Sequence, residues 1–107
     1  RFSAIPFYLI SSSINKFNQV ISLQGTTLDK EVKLELGKVL FDLATRRIRE
    51  ADATDLSRVA WLSLHLGKED EARKYVEAGL MQDRYNVHCV RLQSRLLQDQ
   101  QKGEAFG

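Results

Sequence analysis

The chain has 107 residues, 43% of them apolar and 28% charged, with 16 basic and 14 acidic side chains giving a formal charge of +2. That is the length of one domain with a globular composition, which excludes a disordered chain and leaves room for a real core. The charge is too small to name a partner, and a single cysteine, Cys89, excludes an internal disulfide framework and fits a reducing, cytoplasmic setting.

Residues 4–10 read AIPFYLI, an apolar run broken by Pro6 and far short of the roughly 20 residues a membrane-spanning helix needs. No basic start, long apolar run and small-residue cleavage site follow one another as in a signal peptide. The chain opens on Arg1 rather than methionine, so it reads as a piece of a longer protein.

Phe7, Ile10, Ile14, Phe17 and Ile21 recur every three or four residues, which predicts an amphipathic helix with Ser3 placed to cap it and Pro6 in its first turn. Residues 24–27 (QGTT) break the pattern. A second helix carries Val32, Leu36, Val39, Leu40 and Leu43 as its stripe, widened by Phe41, Ala44 and Ile48 and capped by Thr27 or Asp29. Gly37 inside it costs up to about 1 kcal/mol against alanine, which close approach of another helix would explain. After a break over 51–54, a third helix sets Leu56, Val59, Ala60 and Ser63 on one side, with Trp61 and Leu64 on another, and Gly67 stops it. Glu69, Asp70 and Glu71 then crowd the first turn of a fourth helix, where carboxylates favour the positive end of the helix dipole. That helix carries Ala72, Val76, Gly79 and Leu80 and ends near Asp83. A fifth runs from about Asn86 to Gln98, with Cys89, Leu92 and Leu96 inward and a polar tail beyond. Five helices with short connections make the fold all-α.

Little in this pattern is catalytic. No nucleophile is paired with a base, and no glycine-rich phosphate loop appears, so the sequence points away from an enzyme and implies no cofactor. His65 and His88 lie far apart, and His88 and its neighbour Cys89 point in different directions on a helix, so no metal site is expected. Cys89 reads as a buried structural thiol. The informative feature is basic: Arg84, His88, Arg91 and Arg95 recur at spacings of four, three and four, one narrow ridge of the fifth helix. It is either an ordinary solvated face or a binding surface.

Residues 53–86 span 34 positions and resemble a tetratricopeptide repeat. Leu56, the Val59-Ala60 pair and Ser63 stand where that family's first helix has a large residue, a Leu-Gly-like pair and an aromatic. Gly67 stands at the inter-helix turn; Ala72, Val76, Gly79 and Leu80 match the second helix. Asp83-Arg84-Tyr85-Asn86 resembles the family's Asp-Pro-x-Asn turn. Ser63, Val76 and Arg84 depart from the family pattern. One period on, Val90 and Ser94 fall where Leu56 and Ala60 fell, and Gly103 comes near the next inter-helix turn. The resemblance thus implies one repeat over 53–86, the first helix of another with its tail over 87–107, and a long helical pair over 1–52 serving as degenerate repeat or cap.

The resemblance implies stacked antiparallel helical hairpins whose first helices line a concave groove for an extended peptide. Its places here are Thr54, Ser57, Trp61, Leu64 and His65, then His88, Arg91 and Arg95. A tryptophan floor beside an arginine row suits an acidic or carboxylate-ended peptide, since guanidinium binds carboxylate through two parallel hydrogen bonds. Two other readings stand beside it. The ridge, with Arg46, Arg47 and Arg49, could contact nucleic-acid phosphates, against which the modest net charge argues. The stripe of the first helix, with Phe7, Tyr8 and Phe17, could serve self-association or a regulatory arm of a larger enzyme. No membrane partner is implied.

Overall fold

The computed structural model describes residues 5–22 and 29–106 of the chain. Among the described residues the regular structure is entirely helical: α1 (Phe7–Ser22), α2 (Lys30–Arg46), α3 (Ala53–His65), α4 (Glu69–Gln82) and α5 (Val87–Phe106). A 3-10 turn, Ile48–Glu50, joins α2 to α3. The expected cap at Ser3, the break over 24–27 and the Thr27 cap lie outside the described residues.

α1 forms as its spacing predicts. Phe7, Ile10, Ile14 and Phe17 are all buried in one core. The expected use of Phe7 and Phe17 for self-association is corrected to this extent: the core covers both rings, while Tyr8 and Leu9 are exposed. Pro6 immediately precedes α1 rather than sitting in its first turn, and its carbonyl accepts the Leu9 amide at 3.0 Å.

α2 starts where Asp29 caps it, the carboxylate accepting the Glu31 amide at 2.9 Å. Its expected stripe needs correction. Val32, Leu36 and Val39 are 51%, 44% and 52% exposed, whereas Gly37, Leu40 and Ala44 are buried. Two apolar faces share this helix, and the core takes the one that admits closer packing. Gly37 shows why: an added Cβ would lie 3.0 Å from Leu66 Cδ2 and 3.1 Å from Phe17 Cζ.

α3 begins at Ala53, inside the expected break, because Asp52 and Asp55 form a capping box. Asp55 Oδ1 also accepts the Ser11 hydroxyl at 2.5 Å, tying α1 to the start of α3. Gly67 ends α3 with φ of +75°, a conformation that favours glycine. The three carboxylates Glu69, Asp70 and Glu71 open α4 as expected.

α1 packs on α2 and α3, α2 on α3, α3 on α4 and α5, and α4 on α5, so α3 is the common neighbour. Its Val59, Ala60 and Leu62 meet Ala72 and Val76 of α4 and Leu92 of α5 in the same buried cluster. Small residues set the closest approaches. At Gly79 a Cβ would reach within 2.6 Å of Cys89 Sγ.

The Asp83-Arg84-Tyr85-Asn86 turn redirects the chain into α5. Asp83 Oδ1 accepts the Tyr85 amide at 3.1 Å. Asn86 Oδ1 then accepts the Cys89 amide at 3.1 Å, a side-chain cap on α5, while Asn86 Nδ2 donates to Thr54 Oγ1 at 3.1 Å. α5 runs on to Phe106, past the expected end at Gln98 and through Gly103, which corrects the turn expected there. Nothing from Gln98 to Gln101 breaks a helix, and Arg95 and Asp99 pair across the expected end at 4.0 Å.

Candidate binding groove

α1, α3 and α5 together border a groove of about 520 Å³. One wall is α3, whose Thr54, Ser57, Trp61 and His65 fall on a single face by their three- and four-residue spacing. All four were singled out in the sequence. Ser57 is buried, and its hydroxyl donates to the Thr54 carbonyl at 2.6 Å. Trp61 is half-buried, packing one part against the core and leaving the rest to the groove.

Trp61 is the centre of the site. The His65 ring, one helical turn on, stacks against it with centroids 6.1 Å apart and planes 26° from parallel. The Arg95 guanidinium from α5 lies 5.0 Å from the indole centroid, at cation–π range. Burial pushes the His65 imidazole below its ordinary pKa, and the nearby Arg95 charge pushes the same way. His65 therefore stays neutral more readily than a solvated histidine would.

The opposite wall was missed by sequence reasoning. Asn15, Asn18 and Gln19 of α1 line it, and Arg58 of α3 joins them. The signal existed: Asn18 and Gln19 follow Asn15 by three and four residues, so the three carboxamides share a face of α1 beside its apolar stripe. Arg58 Nη1 donates to Ser11 Oγ at 3.0 Å, and that hydroxyl donates to Asp55, so the guanidinium is held beside α1. Asn18 Nδ2 donates to the Arg58 carbonyl at 3.1 Å.

The remaining candidate residues divide. His88 of α5 lines the groove with α3. Leu64 does not; it packs against the core, which corrects its placement on the groove floor. Arg91 also stands outside, in a separate shallow depression with Val90, Ser94, Arg95, Gln98 and Asp99. Arg95 belongs to both places, by its guanidinium on Trp61. Arg84 is corrected too: it lies in the turn before α5, 5.4 Å over the Tyr85 ring, and so is not part of the helical ridge. Of the basic residues of α2 and its turn, Arg46 pairs with Asp42 at 3.0 Å and Arg47 with Glu50 at 2.6 Å.

The titratable chemistry elsewhere is structural. Cys89 is buried, its thiol sits 3.4 Å from the Ala53 carbonyl oxygen it donates to, and burial with the Asp83 charge pushes its pKa up. A raised pKa disfavours the thiolate that a nucleophile requires. Among the described residues no three His, Cys, Asp or Glu side chains converge on a metal-sized site, and no helix is long and apolar enough to cross a membrane. Comparison with protein-family models, with curated proteins and with solved structures gives no match.

Proposed function

We propose that this chain is a non-catalytic interaction module of the tetratricopeptide kind, working in the cytoplasm, whose α1–α3–α5 groove holds an extended acidic segment of a partner protein. The observation that carries the reading is Trp61, half-exposed on the groove wall with His65 stacked on it and Arg95 over its ring. An indole offers apolar contact to a peptide side chain, and the guanidinium beside it attracts a carboxylate. Across the groove, the carboxamides of Asn15 and Gln19 can donate to peptide carbonyls and accept from peptide amides. Arg58 adds a second cation, and none of the lining side chains is a carboxylate.

Two features support the repeat reading. α3 begins at Ala53 and α5 at Val87, 34 residues apart (87 − 53), which matches the repeat period. Ala60, Ala72 and Gly79, the small residues the family places at helix crossings, are all buried.

Trp61 is the chain's one tryptophan, so its fluorescence reports on the groove alone. Titration with a Glu-rich peptide should perturb that emission saturably, more weakly as salt rises. A matched Gln-rich peptide should bind less well. Saturable binding that leaves the emission untouched, or no binding by either peptide, would remove the reading. Duplex DNA binding with a steep salt dependence would favour phosphate contacts instead.

A further inference from the structure

Two helix faces carry apolar side chains into solvent, and α3 packs between the helices that bear them. On α2 the face is Val32, Leu36 and Val39, continued by the partly buried Leu43 at the same spacing. On α5, Val87, Val90 and Leu97 are 41–54% exposed, with Ser94 between them. The α5 stripe lies opposite the residues that bind α5 to its own fold, Cys89, Leu92 and Leu96. Both stripes alternate spacings of three and four, the pattern of a helix-pairing seam.

Charge distinguishes the two faces. Glu31 and Glu35 border the α2 stripe, in one depression with Val32, Leu36 and Val39. Arg91 and Arg95 border the α5 stripe, in one depression with Val90 and Ser94. Each pair is four residues apart, so the two carboxylates and the two guanidiniums have the same rise along their helices. Lys38 meets Glu35 at 3.5 Å and Arg95 meets Asp99 at 4.0 Å within the chain. Both contacts are between exposed side chains, which exchange partners at little cost.

We propose that copies of this chain stack head to tail, the α5 face of one seated on the α2 face of the next. The occupant is a second copy because the two faces match in spacing and oppose in charge. Such an interface joins two different surfaces, so every added copy leaves one face of each kind open and the stack grows rather than closing as a two-fold dimer. The face that an isolated copy leaves in water is covered by the same contact.

Leu36→Asp and Val90→Asp block one face each at positions already in solvent, and circular dichroism checks that both variants keep their helices. Sedimentation of the wild-type chain across a concentration series should show average mass rising past that of a dimer. In each single variant every copy lacks the same face, so each variant alone should remain monomeric. An equimolar mixture should form a one-to-one dimer and stop. Arg91→Glu should weaken association about tenfold, with Glu35→Arg in the same chain restoring it. A wild-type chain monomeric at every concentration would overturn the proposal, as would a mixture that stays monomeric. Association abolished by Leu36→Asp but untouched by Val90→Asp would overturn it in favour of a closed dimer through α2.

Discussion

A Cβ placed on Gly79 would lie 2.6 Å from Cys89 Sγ and 3.4 Å from the Ala53 carbonyl oxygen. Gly79 is thus where α4 approaches α5 and the start of α3 most closely, and the buried thiol fills the space its missing side chain leaves. Gly79→Ala should destabilise the fold. Overpacking of this kind costs about 1–3 kcal/mol, against which alanine's better helix propensity returns up to about 1 kcal/mol. In a Cys89→Ala background the overlap disappears, and the same substitution should become neutral or stabilising. Denaturant unfolding of the four proteins in that cycle measures the coupling, and purely additive losses would show that the two side chains do not meet.

Asn86 caps α5 through Oδ1 and reaches Thr54 through Nδ2, so one side chain joins the turn to both helices. Asn86→Ala should cost about 0.5–2 kcal/mol as a lost cap. Asn86→Asp keeps the acceptor for the Cys89 amide but loses the donor to Thr54. It should retain most of the stability, and a loss equal to that of alanine would assign the energy to the Thr54 bond instead. Thermal melts separate the two outcomes.

Leu92 and Leu96 hold α5 against the rest of the core, Leu92 without any exposure and Leu96 nearly so. Truncating either to alanine should cost about 2–5 kcal/mol, with Leu92 the larger. Leu97→Ala, one residue on and exposed, should change stability by no more than about 0.5 kcal/mol in the monomer. Equal effects at 96 and 97 would mean that α5 is not docked by the face described.

The order and type of the helices were legible because each apolar stripe repeats at the helical period and the breaks carry capping residues. The α3–α4 hairpin was the clearest, since Gly67 and the Glu69, Asp70, Glu71 turn mark the join between its helices. α2 was misread for a physical reason. Periodicity finds an apolar face but cannot choose between two, and Gly37, which sets the packed one, contributes nothing to hydrophobicity. The groove was half legible. Trp61, His65 and His88 were reached through repeat spacing, whereas Asn15, Asn18, Gln19 and Arg58 come together only when α1 lies on α3. Arg91 and Arg95 look alike on a helical wheel. Only the tertiary position of Trp61 separates them, and it takes Arg95.

That separation makes His65 a testable reporter of the groove. Its pKa is depressed in the folded chain, chiefly by burial and then by Arg95, from an ordinary value of 6.5. The unfolded chain therefore takes up the proton at higher pH than the folded one. Stability linked to His65 is fully present above about 6.5 and declines as pH falls through that value toward the folded pKa. Unfolding midpoints at about pH 7.5 and about pH 5.5 should differ more for the wild type than for His65→Gln, with His88→Gln in both so that the other groove histidine does not contribute. Arg95→Gln removes the repelling charge and should raise the His65 pKa, seen directly in a proton-resonance titration of the imidazole. Arg91→Gln should leave it unmoved, because Arg91 lies in the outer depression rather than over Trp61. Acidic-peptide binding should run the other way from stability, strengthening as His65 gains its charge beside the bound carboxylate. Equal pKa changes for Arg91→Gln and Arg95→Gln would show that both guanidiniums face His65, and the two depressions would then act as one surface.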